Sequence, residues 1–411
     1  MDVKDLPINP GITLSMSLLF GLYFLLFNWG CTPRQDNTLY QDPDLIKGQL
    51  DNGFQYYIKK VDDESMKGEV SMGLYGRMGN WLENEGQRGL AHLIEHMIVK
   101  TGNSCVDMDW GKSNRNHKRS AAQTTLSGIE YKFILREPQY IDEYLEVLRC
   151  YAWDTVLQRN LADTTLVREY GRTSVLAEAQ KIGWKKSISR EHLYLKIFGQ
   201  AYKQNVESEL KNIQDFGLED LQDYYSNWYR PDMEALYVVG DIPDVRLVEA
   251  SIRKLYSDLK APDDVVTPSF SQWLDQRKVT LPGTFRVVTV EDEYNPVSQF
   301  HIYLIQPKSF LEEIVNTKKQ LNNQWVRNLY KELLQNRFRR LKVDADFIGM
   351  HYQSPEITGI EGAHFFDIGF SLTQKDNGKI QSIVKLVYTE LERVARYGVS
   401  PLVQKTDIVY H

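Results

Sequence analysis

Two histidines and a glutamate stand close together in the stretch GLAHLIEHMIVK, residues 89–100, at positions 92, 95 and 96. An α-helix turns once in about 3.6 residues, so positions i, i+3 and i+4 share one side of it. His92, Glu95 and His96 then face one way, and Leu93, Ile94, Met97 and Ile98 fill the other sides of a largely buried helix. A buried stripe of two imidazoles and a carboxylate needs partners, and Zn2+ is one. Hydrogen bonding to neighbours is the plainer alternative and the commoner fate of an isolated i,i+4 histidine pair. Two features favour the metal. Only 8 histidines occur in 411 residues, so this spacing is a poor product of chance. The order H-x-x-E-H is also the inverted zincin pattern, in which the glutamate stands beside the ligands rather than among them. A catalytic zinc takes a third protein ligand and keeps one position open. Such a site hydrolyses peptide bonds with a zinc-activated water, Glu95 taking the proton as general base. His92 and His96 ligate only when neutral, so activity should fall in acid.

The elements that must hold these residues alternate strand and helix. FQYYIKK and EVSMGLYG read as strands ahead of the metal helix, TGNSCVDMDWGKSNRNHKRS as a polar loop after it, and QTTLSGIEYKFIL as returning sheet. Helical periods come next in QYIDEYLEVLRCYAWDTVL, ADTTLVREYGRTSVLAEAQK and GLEDLQDYYSNWY, then the strand EALYVVGD and the helix DVRLVEASIRKLYSDL. KAPDDVVTPSFSQWLDQRKVTLPG, broken by prolines and charges, reads as a linker. Beyond it TFRVVTVED, SQFHIYLI and AHFFDIGFSL read as strands, with NQWVRNLYKELLQNRFRRL and IQSIVKLVYTELERVARYG as helices. Grouped strands and helices of this kind imply an α+β architecture. The second half loosely repeats the first without repeating H-x-x-E-H.

Composition narrows the partners. A net charge of −6 offers no basic field for nucleic acid. Cys31, Cys105 and Cys150 show no metal spacing and allow at most one internal disulfide. The run GITLSMSLLFGLYFLLFNWGC carries no charge and is long enough to span a bilayer or to form the core of a secretory signal. Its Gly30–Cys31 junction resembles a bacterial lipoprotein processing site, with Cys31 as the lipidated residue; an uncleaved membrane anchor is the alternative. Both readings export the chain, to the periplasm or as an outer-membrane lipoprotein. The expected plan is a signal or anchor over 1–30, a polar tether over 31–45, a first domain over 46–260, a linker over 261–282, and a second, C-terminally incomplete domain over 283–411.

QRGLAHLIEHMIVKTGN resembles the zinc-site helix of the M16 (pitrilysin/insulinase-like) metallopeptidases. LDNGFQYYIKK is similar to the family's opening strand, AAQTTLSGIEYKF to the strand pair after the metal helix, LEDLQDYYSNWYRPDMEALYVVGDI to the close of the first domain, and ELERVARYGVS to a helix end late in the second. The resemblance runs from about residue 45 to the last residue. It implies two tandem related domains of the M16/LuxS-metallohydrolase-like class, each an antiparallel-rich sheet packed against helices, with one Zn2+ per chain in the first.

The family's third ligand lies in a segment like E-R-G-V-V-x-x-E, which REYGRTSVLAEAQ matches at Glu178, with Glu169 as rival. Nine residues apart, the two fall on opposite faces of a regular helix. Seven before Glu178, where the family keeps a supporting acid, stands Gly171. The resemblance also lays an extended peptide along the strand holding Ala122, Gln123 and Thr124, although Ala121 and Ala122 stand where Asn-Ala is usual and Ile129 where Thr is frequent. Asn114, Asn116 and His117 nearby read as plain surface polarity. Single-chain members carry four such domains, so a missing C-terminal half or a second M16-like chain is an expected partner beside the peptide or unfolded polypeptide substrate. Two functions are consistent with these residues: an exported zinc endopeptidase, or a catalytically impaired binding or assembly subunit.

Overall fold

The computed structural model describes residues 39 and 42–398, apart from 107–115, 183, 199–205, 261–264, 282–286, 292–296, 310–311, 313–314, 316, 341–344, 355–357, 359 and 373–376. The N-terminal apolar run and Cys31 lie outside these residues. Among the described residues no helix is long and apolar enough to cross a membrane. Contacts divide the described residues into a unit formed within 42–195 and 206–277 and another formed within 278–398, with 39 and 196–198.

The first unit is built on a six-stranded sheet of order β1-β2-β6-β3-β5-β4. Its strands are β1 (Leu45–Gln49), β2 (Gln55–Lys60), β3 (Val70–Gly76), β4 (His117–Thr124), β5 (Ile129–Leu135) and β6 (Glu234–Gly240). Only β2 and β6 pair in parallel; the other neighbours are antiparallel. Period-two burial is plainest in β5, where Ile129, Tyr131, Phe133 and Leu135 are buried and the residues between them are not. The buried face joins one core with the helices α1 (Leu90–Lys100), α2 (Ile141–Ala152), α3 (Thr155–Ala162), α4 (Thr173–Ile182), α6 (Val206–Asp215), α7 (Leu218–Trp228) and α8 (Val245–Tyr256), while α5 (Trp184–Phe198) comes after α4 in the chain.

Four expectations change in this unit. The loop expected over 101–120 ends early, because β4 already begins at His117; the exposed Lys118, Arg119 and Ser120 on its rim hide the alternation that would have marked it. The helix expected through 162–181 is interrupted by a π-helical segment, Val167–Arg172. A π-turn inserts an extra residue, and each extra residue rotates the downstream side chains by about 100° around the axis. The helix expected from 139 to 157 breaks at Asp154, whose carboxylate accepts from Leu157 N at 2.8 Å and so starts α3 as a separate helix. Within the stretch expected as linker, α9 (Phe270–Asp275) forms instead and packs Phe270 and Trp273 on the first core, the Phe270 ring 5.0 Å from that of Trp81.

Cys105 and Cys150 form a disulfide that ties the segment leaving α1 to α2 across 45 residues. Closing a loop of that size restricts the unfolded chain, and its reduction is expected to cost about 2–4 kcal/mol. Thermal unfolding with and without reductant checks this; a midpoint unmoved by reductant would mean that the bond contributes nothing.

The second unit has a three-stranded antiparallel sheet, β7 (Gln299–Gln306), β9 (His364–Leu372) and β8 (Ala345–Gln353), covered by α10 (Lys318–Arg340) and α11 (Asn377–Tyr397). Ile302, Leu334, Phe338, Met350, Ile368, Phe370, Ile383 and Val387 fill its core. β8 escapes the sequence pattern because a register shift between Phe347 and Gly349 breaks its alternation. Of the strand expected at 284–292, residues 287–291 form no strand; 284–286 and 292 lie outside the described residues.

Candidate metal centre

α1 begins at Gly89, whose φ of +88° suits glycine and where a Cβ would stand 2.8 Å from Ile213. Because glycine cannot cap with a side chain, Glu83 does so from outside the helix, accepting from Gly89 N at 3.0 Å and Ala91 N at 2.9 Å. Burial and the nearby Glu209 push the Glu83 carboxyl up to about 8, against the pull of these donors and Arg88. The helix so anchored presents His92, Glu95 and His96 on one side, with Leu93, Ile94, Met97 and Ile98 fully buried.

α4 brings Glu178 to the two histidines. Glu178 Oε2 lies 2.9 Å from His96 Nε2 and 3.6 Å from His92 Nε2, and the two Nε2 atoms are 3.2 Å apart. Ligand bonds of about 2.0–2.1 Å directed to the corners of a tetrahedron place their donor atoms about 3.3–3.4 Å apart. Two imidazole nitrogens and a carboxylate oxygen at these spacings fit a tetrahedral zinc with one position open. Among the described residues this is the one group of three or more potential metal-binding side chains that converges in this way. Glu169 is not in it: its side chain is 53% exposed and points toward Arg168 at 3.9 Å. The face argument against both acids reaching one ion assumed a regular helix, and Glu169 itself lies in the π segment.

Gly171 has a positive reason to be glycine. A Cβ there would stand 3.0 Å from Leu93 Cδ2 and 3.3 Å from the Met97 sulfur, so the π segment lies directly against α1. A carboxylate at 171 would have to displace that contact.

Glu95 is buried and accepts a hydrogen bond from the Thr124 hydroxyl at 2.8 Å. Burial pushes its carboxyl above the usual range, opposed by His92 and Thr124 and reinforced by Glu178. Burial, with the charges of His92 and Lys100, pushes His96 down to about 4, while Glu178 pulls the other way. A low value keeps His96 in the neutral form that ligates.

β4 lies at the edge of the sheet next to this cluster. Ala122 is half-buried against the core, Gln123 is exposed, and Thr124 turns its hydroxyl onto Glu95. Thr124, expected to touch substrate, donates its hydroxyl to the candidate base. His117, expected as surface polarity in a loop, sits on β4 with Nδ1 2.6 Å from the Tyr144 hydroxyl; Asn116 donates to Glu143 at 3.0 Å, and Asn114 lies outside the described residues. Glu83, Gly89 and Thr124 were not legible as supports, since each acts through a contact between elements. Gly171 was visible only as a departure from a pattern.

A profile described as Peptidase M16 inactive domain matches residues 215–402, beyond the cluster itself. The chain is 22% identical over 357 residues to the "Probable zinc protease PqqL" of Haemophilus influenzae, covering 82% of this chain and 36% of that protein. It is 25% identical over 226 residues to "Zinc protease PqqE" of Helicobacter pylori, covering 54% of this chain and 48% of that one. The chain thus spans between a third and a half of the length of these relatives. Among solved structures, the periplasmic protease PqqL from Escherichia coli superposes with a TM-score of 0.62 at 20% identity, covering 90% of this chain and 39% of that one.

Proposed function

We propose that the chain is a zinc metalloendopeptidase of the M16 family acting on extended peptides or small unfolded proteins, with one Zn2+ held by His92, His96 and Glu178; the M16 profile over 215–402, the zinc-protease relatives and the converging donor atoms support this. The observation that carries this reading is the meeting of three donor atoms at 2.9, 3.2 and 3.6 Å beside a buried glutamate on the same helix. When bound, zinc would polarise a scissile carbonyl and make a water a usable nucleophile near neutral pH.

The chain's own residues do the rest. Glu95 takes the proton of the attacking water and returns it to the leaving amine. Thr124 fixes the rotamer of Glu95 through its hydroxyl, and α1 holds the base and the two histidine ligands on one rigid element, with Glu178 reaching them from α4. The free edge of β4 offers main-chain donors and acceptors to an extended peptide, past Ala122 and Gln123. The Cys105–Cys150 bond favours an oxidising compartment, and the Escherichia coli neighbour is titled periplasmic; export to the periplasm, with Cys31 as a lipid attachment point, is the matching localisation. The greater length of the relatives supports a further M16-like half, in this protein or a second chain, as partner.

A second reading, a binding or assembly subunit with impaired catalysis, draws on the glycine at 171, the alanines at 121 and 122, and the profile's description as inactive. Cleavage of an unstructured peptide by the purified chain separates the two. Turnover that a chelator abolishes and zinc restores is the expected result. Zinc bound without turnover, in the presence of any missing half, would favour the binding subunit.

A further inference from the structure

β4 is the outer strand of the six-stranded sheet, so a peptide pairing with its free edge would lay alternate side chains on the two faces of that sheet. Register settles which residues they meet. Ser120, Ala122 and Thr124 pair with Phe133, Tyr131 and Ile129 and share the face that carries the core and Glu95. Arg119, Ala121 and Gln123 pair with Ile134, Lys132 and Glu130 on the other face. There Arg119 is exposed on the edge strand itself. Lys132 stands one strand behind Ala121, whose methyl group leaves the way from the lysine to the edge open.

Among the described residues no hydrogen bond or ion pair holds the side chain of Arg119 or of Lys132. Their neighbours are already engaged. Lys118, the extra residue where the register shifts at the start of β4, pairs with Glu69 at 2.8 Å. Glu130, the acid next to Lys132 on this face, accepts from the Tyr237 hydroxyl at 2.8 Å over Gly73, which draws it toward β6 and away from the edge. Two cations are thus left facing the place of a bound peptide, and opposite charges beside one another on one face of a sheet attract.

We propose that the β4 edge selects extended peptides that carry an aspartate or glutamate opposite Arg119 or Ala121, with Arg119 and Lys132 as the counter-charges. This rests on the peptide-binding edge proposed above. Thr124 bonds Glu95 and so marks the reacting end of the strand; the peptide residues opposite Ala121 and Arg119 lie three and five positions from the one beside Thr124. The test is the dissociation constant of fluorescent peptides, neutral and unstructured except for Glu, Gln or Lys at one position, on the whole chain carrying Glu95→Gln, which is expected to bind without cutting. At low salt the Glu peptide should bind about 2- to 5-fold more tightly than the Gln peptide, and the Lys peptide more weakly than either. High salt should flatten the order. Arg119→Glu together with Lys132→Glu should invert it, which a merely structural role of these residues would not do. Equal affinity for the three peptides, or an order unmoved by charge reversal, would overturn the inference. If the double variant does not fold, Arg119→Glu alone, at an exposed position, decides in the same way. The expected order on a chain that, without Glu95→Gln, cleaves no peptide would keep this inference and overturn the peptidase reading instead. Binding of no peptide would overturn the inference together with the edge it rests on.

Discussion

Glu95→Gln is expected to leave zinc on the chain and to lower peptide cleavage by about 10²- to 10⁴-fold, the usual share of a positioned acid–base group. The side chain is buried on α1, with one oxygen held by Thr124 at 2.8 Å, and stands outside the donor trio. An amide of the same shape keeps the contact with Thr124 and loses only the capacity to take a proton. Zinc content and turnover of the same preparation give the two readouts, and turnover retained beside retained zinc would refute the base assignment. The pH dependence arises from the same carboxyl. Burial pushes it above the ordinary carboxylate range. The base acts in its unprotonated form, so cleavage should fall as pH falls through that raised value, earlier than an exposed glutamate would allow.

The second large effect concerns Glu178. Its Oε2 stands 2.9 Å from His96 Nε2 and 3.6 Å from His92 Nε2, as the third corner of the donor set. Removing a group that supports a ligand costs about 10- to 100-fold in affinity, and removing the ligand itself should cost more. The unaltered chain should carry about one zinc and Glu178→Gln almost none, by elemental analysis after dialysis. Glu169→Gln should behave as the unaltered chain, since that side chain points to Arg168. Zinc lost in Glu169→Gln and kept in Glu178→Gln would reverse the assignment. Zinc absent from all three would leave the α1 histidines as structural residues on a peptidase scaffold.

Much of the site was legible because it is local. Helical spacing alone puts His92, Glu95 and His96 on one face, and the apolar residues between them foretell the burial. The α+β plan and most strands of the first unit were readable for the same reason, since alternation such as that of β5 is visible within seven residues. Local pattern misled where it and tertiary demand diverge. β4 is polar along its exposed rim, so its strand character comes from pairing with β5. β8 carries a bulge that shifts its register. The broken helix before α4 needed the packing of Gly171 on Leu93 and Met97 to be understood, and with it the reason why an acid is absent there.

By itself, then, the sequence determined the helix that carries His92, Glu95 and His96, two candidate ligand histidines and a base candidate, and the general architecture, all set by side chains within a turn or two of one another. Only the tertiary structure placed Glu178, and not Glu169, beside the two histidines, gave Thr124 to Glu95, and brought Glu83 and Glu209 to the head of α1. Those choices depend on how helices distant in the chain meet, and packing between elements leaves no period in the residues that make it.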